Sequence, residues 1–249
     1  MHETIAPDHD YDLIIVSVNH EQLGPVMEVI GHRAGKATIL MFNNIWDDMQ
    51  TIIEPLPKDQ VIWGFPGGGG GFREQTLQGG ITKSVFLEAA GTAASKERHR
   101  SVVALLEQAG FSLSLQKDMR SWYWEHFILN AAMAAQVFHE GSYHNLYRSA
   151  ATVKKAVLLM QEMLPLIKAR GGKAGTSGKA MMYLPAGLTA YGTYKVIGGN
   201  NIMGEIMRQM EDSAYISRES LARFPKDVLA WARHAGISLP GLEALEHYF

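Results

Sequence analysis

A histidine and an asparagine four residues apart are the side chains of this sequence best placed to do chemistry. His126 and Asn130 lie in segment 122–130, which reads WYWEHFILN. In a helix, this spacing places an imidazole and an amide on one face of an otherwise apolar stretch. An imidazole titrates near neutral pH and can donate a proton to a developing alkoxide. The alternative interpretation is a structural histidine, hydrogen-bonded within an aromatic helix.

Amide side chains also follow two strands that the sequence predicts near the N-terminus. Asn19 comes directly after the apolar run of residues 11–18, and Asn43 and Asn44 follow residues 37–42. Open parallel sheets bind ligands outside the carboxyl ends of their strands, so amides at these positions can contact a ligand. An asparagine can equally cap the next helix, which is the simpler interpretation of Asn19 and Asn44. Because Asn44 can supply that cap, Asn43 is the stronger ligand-binding candidate.

Five consecutive glycines, residues 67–71, follow the third predicted strand. Their backbone N–H groups are open to a flat ring or an anion because no side chain covers them. The run lacks the Lys-Ser/Thr ending of a phosphate-binding P-loop and does not match G-x-G-x-x-G. Two interpretations stay open, a flexible surface loop and a ligand-facing loop.

The composition argues against several other classes of protein. A net charge of -2 and a pI near 6.6 give no electrostatic attraction to nucleic acid or to an anionic membrane. There is no cysteine and no His-Glu-x-x-His motif, so no metal site is expected. The sequence shows neither a signal-peptide pattern nor a run of about 18 apolar residues. These features predict a soluble, cytoplasmic protein.

Residues 11–118 alternate strand-like and helix-like patterns, which predicts a first domain of the α/β class over residues 1–118. The predicted strands span residues 11–18, 37–42, 60–65, 79–88 and 111–115, and the predicted helices span residues 22–30, 47–53 and 97–108. A β-α-β-α-β order is typical of a parallel sheet. We therefore expect a partial Rossmann-like parallel sheet in this domain.

From residue 119 to residue 249 the pattern is helical throughout, which predicts an all-α C-terminal domain. Ala, Met, Leu and Glu recur there at a spacing of three to four residues. The predicted helices span residues 119–138, 146–170, 179–194, 201–221 and 226–234. Glycine-rich turns connect several of them.

Four segments, taken in order, carry a family resemblance. They are DLIIVSVNHEQ at residues 12–22, LMFNN at residues 40–44, VIWG at residues 61–64 and WEHFILN at residues 124–130. In this order they resemble the ketopantoate reductases, or 2-dehydropantoate 2-reductases. The resemblance implies an NADP-binding Rossmann domain, a helical second domain and an active site in the cleft between them. It begins partway into that family's first domain, after the place of its glycine-rich turn.

The resemblance implies roles for five of these residues. Asn19 and Gln22 fall on positions near the cofactor, NADPH, and Asn43 falls on the asparagine of the family's Asn-Gly pair. His126 falls on the catalytic lysine of the family's helix, and Asn130 falls on the first asparagine after it. The resemblance thus implies that Asn43, His126 and Asn130 are catalytic, and that Asn43 also contacts the cofactor.

Substrate contacts are implied further along the chain. The family's substrate-binding serine falls on Asn201, and its substrate glutamate falls near Ser213, beside Asp212. The second asparagine of the family's helix becomes Ala134 and the glutamate is displaced, so a substrate other than 2-dehydropantoate is expected.

Two hypotheses of function follow. The first is an oxidoreductase in which hydride passes from NADPH to a small 2-oxo acid, with His126 as the acid and the two asparagines, Asn43 and Asn130, orienting the carbonyl group. Its first strands would then be encoded upstream of Met1. The second is a complete, non-catalytic chain whose helical half is a dimerisation or partner-binding module. A sheet without its first βαβ unit has an unpaired edge, which a homodimer can cover.

Overall fold

The computed structural model of this chain describes residues 5–6, 8–90, 94–198, 201, 204–207, 209 and 217–249, with the side chains of residues 70–73, 78 and 177 left out. The chain divides into two compact units. Residues up to Gly67 together with Lys83–Arg120 form the first unit, and Gly68–Thr82 together with Ser121–Phe249 form the second.

A five-stranded sheet with the order β1-β2-β3-β4-β5 organises the first unit. Its strands are β1 (Leu13–Val16), β2 (Thr38–Phe42), β3 (Val61–Arg73), β4 (Thr76–Glu88) and β5 (Ser112–Gln116), and its helices are α1 (Leu23–Gly31), α2 (Met49–Ile52) and α3 (Lys96–Gln108). β1 pairs with β2, β2 with β3, and β4 with β5, each time in parallel. The predicted α/β class and the predicted order of elements are confirmed.

The glycine run is strand, and the loop predicted there is wrong. β3 continues through residues 67–71, and a two-residue turn that starts at Glu74 leads into β4. Glu74 has a left-handed φ of 55°, as tight hairpin turns require. Strands joined by so short a turn are antiparallel, so the sheet is mixed rather than wholly parallel. Glycines allow the close approach, since a Cβ at Gly68 would lie 2.7 Å from the carbonyl oxygen of Gly80.

The central strands are buried on both faces, which explains their near-continuous apolar sequences. Ile39, Leu40 and Met41 of β2 and Val61 and Ile62 of β3 have no exposed surface. One core cluster joins these strands to β4 and α3, and it contains Leu40, Ile62, Val85, Leu87, Val102 and Leu106. This packing fixes the strand ends at which Asn19 and Asn43 lie.

The second unit contains residues 68–82 of β3 and β4, and its other described elements are helices, which confirms the predicted all-α half. They are α4 (Met119–Glu140), α5 (Tyr143–Leu146), α6 (Ala150–Met163), α7 (Pro165–Ala169), α8 (Thr176–Tyr183), α9 (Ala186–Ile197), α10 (Arg218–His234) and α11 (Pro240–Glu243). Residues 204–207 are also helical. The predicted helix over residues 201–221 falls largely outside the described residues.

Prolines divide two of the predicted helices. The helix predicted over residues 146–170 is interrupted before Pro165, and the one predicted over residues 179–194 is interrupted at Pro185. Proline has no N–H group to donate to the preceding turn, so each new helix begins at or next to it.

Pro225, in contrast, does not interrupt its helix. The sequence predicts a helix that begins after it, whereas Pro225 lies inside α10 and is buried there. The helix begins earlier because the Ser217 side chain accepts a hydrogen bond from the N–H of Ser220 and caps the first turn. A favourable cap and a buried apolar face outweigh one lost backbone hydrogen bond.

Gly31 ends α1 where the chain passes close to Pro55. A Cβ at Gly31 would overlap the carbonyl oxygen of Pro55. We expect Gly31→Ala to lower the free energy of unfolding by about 2–4 kcal/mol, because the clash is with backbone rather than with a mobile side chain. Urea denaturation followed by circular dichroism measures this change.

Gly24 in the same helix provides the matched control. A Cβ there would meet nothing within 4 Å. Gly24→Ala should therefore be neutral or stabilise by up to about 1 kcal/mol, since alanine is the better helix former. Equal stabilities of the two alanine variants would contradict the close approach of Gly31 to Pro55.

Candidate functional site

α4 carries the two residues predicted to do chemistry, and aromatic packing fixes its orientation. Tyr123 and Phe127 are buried, and the Phe127 ring lies 4.7 Å from that of Phe224 in α10. The guanidinium of Arg170 lies over the ring of Trp124 at 4.5 Å. These contacts hold one face of α4 in the core of the second unit.

The other face of α4 lines a cavity of about 420 Å³. His126 and Asn130 both contribute to its wall, so the structure brings this predicted pair together. Most of the remaining wall is hydrocarbon or thioether, supplied by residues that include Leu129, Met133, Val153, Ala156, Val157 and Met160. A cavity of this size and character is typical of a small-molecule site.

The His126 imidazole is half-buried and stacks on the indole of Trp122, with ring centroids 5.2 Å apart and an angle of 4° between the rings. Burial lowers the pKa of His126 to about 4, because apolar surroundings disfavour the charged imidazolium. His126 is therefore neutral at pH 7. The sequence-based role of a proton donor requires a ligand that raises this pKa again.

A smaller cavity of about 150 Å³ shares His126, Leu129, Met160 and Met181 with the larger one. On the described walls of both cavities, the titratable residues besides His126 are Glu125 and Tyr147. The Tyr147 hydroxyl donates to Sδ of Met133 at 3.4 Å. Burial raises the pKa of Tyr147 above its ordinary value, so this side chain is neutral.

Glu125 holds the start of α8 against α4, a role that the sequence reasoning missed. Its carboxylate accepts a hydrogen bond from the N–H of Gly175, the residue that precedes α8. A Cβ at Gly178 would lie 2.6 Å from the carboxyl carbon, so glycine is what leaves room for Glu125. A carboxylate is favoured at a helix N-terminus, where N–H groups are unpaired. α8 in turn supplies Met181 to both cavities.

In the first unit, the three residues predicted to contact the cofactor lie together after β1 and β2. Nδ2 of Asn43 donates to the carbonyl oxygen of Val18 at 2.7 Å. The Gln22 Oε1 atom accepts from the backbone N–H of Asn19 at 3.0 Å. The Gln22 side chain thus closes the short 3-10 turn His20–Gln22, which is a structural role.

Asn43 is the polar group at this strand end that lacks a complete set of partners. It is 2% exposed, and its Oδ1 has no hydrogen-bond donor within the described ranges of the chain. A buried acceptor left unpaired costs about 1–3 kcal/mol. The carboxamide of a nicotinamide ring is an N–H donor of the kind that would satisfy it, so the strand end fits that part of a cofactor.

The first unit also has a groove of about 490 Å³, and this groove does not fit the cofactor's phosphates. Its wall includes Glu28, Asp47, Asp48 and Glu54, and no lysine or arginine is among the described residues that line it. Carboxylates repel a pyrophosphate. The whole sequence also has no G-x-G-x-x-G turn.

Of the three residues predicted to contact the substrate, the structure describes one, Asn201. Oδ1 of Asn201 accepts from the N–H of Gly204 at 3.0 Å, and its Nδ2 donates to the carbonyl oxygen of Val196. Asn201 therefore caps the helical residues 204–207, and its contact with substrate stays a prediction. Ser213 and Asp212 lie outside the described residues.

Two further properties concern all the residues that the structure describes. Among them, no three or more acidic or histidine side chains come together as possible metal ligands. None of the helices described has both the length and the apolar character that crossing a membrane requires.

The comparisons with known proteins identify the fold. No protein-family model matches the chain, and no curated protein matches it in sequence. D-mandelate dehydrogenase in complex with NADH matches with a TM-score of 0.69 and 12% identity, over 95% of this chain and 77% of that one. The 2-dehydropantoate 2-reductase of Geobacter metallireducens matches with a TM-score of 0.65 and 16% identity, over 95% and 76%.

A dimeric ketopantoate reductase from Staphylococcus aureus matches with a TM-score of 0.63 and 12% identity, over 95% of this chain and 75% of that one. The chain therefore has the fold of the ketopantoate reductases. The fold implied by the four sequence segments is confirmed. Because identity is below 25% in each case, activity and substrate are separate questions.

Proposed function

We propose that the chain acts as an oxidoreductase that reduces the carbonyl group of a 2-oxo acid with a nicotinamide cofactor, NADPH by the family resemblance. The single observation that carries the proposal is the pair His126 and Asn130 on one wall of an apolar cavity. Two polar groups beside such a cavity can hold a carbonyl oxygen while water is excluded. The fold shared with D-mandelate dehydrogenase and the ketopantoate reductases supports it.

Each of three side chains has its own task. A bound nicotinamide cofactor supplies the hydride. Asn43 accepts a hydrogen bond from the cofactor's carboxamide through the Oδ1 atom that is otherwise unpaired. The Asn130 amide donates to the carbonyl oxygen of the substrate. His126 takes up a proton when the substrate carboxylate binds beside it, because a nearby negative charge favours the imidazolium, and donates that proton to the oxygen of the new alcohol.

Cofactor binding is the first test, since the sequence offers no G-x-G-x-x-G turn for the pyrophosphate. NADPH and NADH are titrated separately into the protein and the fluorescence of the reduced ring is followed. We expect saturable enhancement with at least one of them, followed by oxidation of the cofactor when a 2-oxo acid is added. No fluorescence change at concentrations that saturate other Rossmann proteins would reject the enzymatic function.

A second function, association of two chains through the helical unit, rests on an exposed apolar face. On α8 and α9 the side chains of Tyr183, Leu188, Tyr191 and Val196 are 79%, 61%, 54% and 55% exposed. Monomeric proteins rarely expose apolar groups at this density, and such faces commonly bind another protein. The dimeric state of the Staphylococcus aureus relative supports a homodimer.

Leu188→Glu tests this association by sedimentation velocity. A charge in a buried apolar interface is unpaired, so we expect the variant to be monomeric where the wild type is dimeric. Leu105→Glu is the matched control, because Leu105 of α3 is similarly exposed, at 48%, in the first unit. A monomeric wild type would reject the homodimer.

A further inference from the structure

α8 covers part of both cavities beside α4. Its Met181 lines the two cavities, and its Gly178 lines the smaller one. On the opposite face of the helix, Lys179 and Tyr183 are exposed to solvent, Tyr183 by 79%. In this part of the cavity walls, a single helix therefore separates the cavities from solvent.

α8 buries little side-chain surface of its own. Among its residues whose burial is described, Gly178 alone is buried, and glycine contributes no hydrocarbon side chain. An isolated helix of eight residues is not stable in water, and helices in proteins owe most of their stability to a packed apolar face. Segments with few buried apolar contacts are those that open locally. α8 must therefore be held by other interactions.

Two side chains from neighbouring helices hold α8, one at each end. At its start, the Glu125 carboxylate of α4 accepts a hydrogen bond from the N–H of Gly175. At its end, Nε2 of Gln161 in α6 donates to the carbonyl oxygens of Met181 and Leu184, at 2.8 and 2.9 Å. The terminal N–H and C=O groups of a helix have no partner within it, so these bonds stabilise both ends. Glu125 and Gln161 are called the two latches below.

The chain is fixed on both sides of α8. Before it, the N–H of Lys173 donates to Oγ of Ser121 at 3.0 Å. After it, Ala190 of α9 is buried in a cluster with Val153 and Val157 of α6. A segment that is anchored on both sides and weakly packed between them can open while the rest of the unit stays folded.

We infer that α8 is a lid over the cavity beside α4, closed by the two latches Glu125 and Gln161, and that small molecules enter when both latches open. The competing route runs past α9, where the cavity-lining Val196 is 55% exposed. The inference concerns access to the cavity, so it stands or falls independently of the proposed reduction.

Thiol labelling measures entry directly, because the sequence contains no cysteine. Met160→Cys places one thiol at a position that lines both cavities and is 6% exposed. The full chain is treated with methyl methanethiosulfonate, a small neutral reagent, and the modified fraction is followed by mass spectrometry. At low reagent concentration, where α8 closes faster than the thiol reacts, the rate is proportional to the open fraction. All variants are compared at one low protein concentration, since Tyr183 also belongs to the face proposed for association.

Removal of a latch should raise the open fraction and hence the labelling rate. Gln161 is not among the described residues of either cavity wall, so Gln161→Ala releases the lid without enlarging the cavity. We expect it to label the Met160→Cys thiol about 5-fold to 100-fold faster, from the loss of two hydrogen bonds. Glu125→Ala should act similarly, whereas Glu125→Gln keeps an acceptor for Gly175 and should restore a rate close to the original.

Two matched controls on α6 distinguish opening of α8 from unfolding of the whole unit. Met163→Cys places the thiol at a fully buried position outside both described walls, so it reacts only when the unit unfolds. Glu162→Ala removes the acceptor for the N–H groups of Gly241 and Leu242, at the start of α11, and leaves both latches in place. It should accelerate labelling of Met163→Cys but not of Met160→Cys.

We expect Met160→Cys to be labelled at least about tenfold faster than Met163→Cys, at a rate that urea changes little, because opening of one short helix exposes little surface. Equal rates and equal urea dependence of the two thiols would show that the cavity opens only on unfolding, and would overturn the inference. Fast labelling of Met160→Cys that Gln161→Ala leaves unchanged would place the entrance at α9 and reject the lid. Equal acceleration of Met160→Cys by Gln161→Ala and Glu162→Ala would reject it as well.

Discussion

We expect the kcat/KM for the proposed reduction of a 2-oxo acid to fall about tenfold for each pH unit from pH 5 to pH 8, about a thousandfold in all. The reason is the neutral state of His126 in the free protein, where burial lowers the pKa to about 4. The profile of kcat/KM reports groups of the free enzyme, and in the proposed mechanism the substrate carboxylate is productive only beside the imidazolium. The fraction of protein that carries this proton decreases tenfold with every pH unit above the pKa.

His126→Gln identifies the group responsible for the slope. Glutamine can donate a hydrogen bond to the carbonyl oxygen but does not titrate, so we expect a kcat/KM that is independent of pH over this range. At pH 5 the variant should be slower than the wild type by about 100-fold to 10,000-fold, the usual contribution of general acid catalysis. A wild-type profile without slope, or the same slope in both proteins, would contradict the role of His126.

The other titratable residues on the described cavity walls do not produce this slope. The Glu125 carboxylate is bound to the N–H of Gly175, at the start of α8. The raised pKa of Tyr147 keeps its hydroxyl neutral from pH 5 to pH 8. Glu125→Gln is therefore a useful control. It keeps an acceptor for Gly175 and should leave the slope of the profile unchanged.

The sequence was sufficient to predict the parts of the fold in which local pattern and burial agree. β2 is apolar without interruption because the sheet covers it on both faces, and its bounds come within one residue of the prediction. The pair His126 and Asn130 was predicted from helical spacing alone, and both line one cavity. Spacing within one helix is a local property, so no knowledge of packing was required.

Other features depend on contacts between distant segments, which one sequence does not reveal. The glycine run became strand because its backbone pairs closely with Gly80, and glycines carry no side-chain pattern from which a strand can be recognised. Tyr147 and Thr193 join the cavity only through the packing of the helical unit. The low pKa of His126 likewise arises from burial, which helical spacing alone does not reveal.

Acid should destabilise the folded chain through the same imidazole. The pKa of His126 is about 4 in the folded state and near its ordinary value of 6.5 in the unfolded state. Between these values the unfolded chain binds more protons, so the free energy of unfolding decreases as the pH falls from 6.5 to 4. The loss amounts to roughly 3 kcal/mol when the shift is converted at 1.36 kcal/mol per pH unit.

Urea denaturation of the wild type and His126→Gln at pH 7, 5.5 and 4 measures this loss as a difference between two proteins. All other titrating groups are common to both, so their contributions cancel in the difference. Between pH 7 and pH 4 the free energy of unfolding should fall by roughly 3 kcal/mol more in the wild type than in the variant. If the difference stays constant with pH, the imidazole is hydrated in the folded state, and the tenfold slope of kcat/KM loses its physical cause.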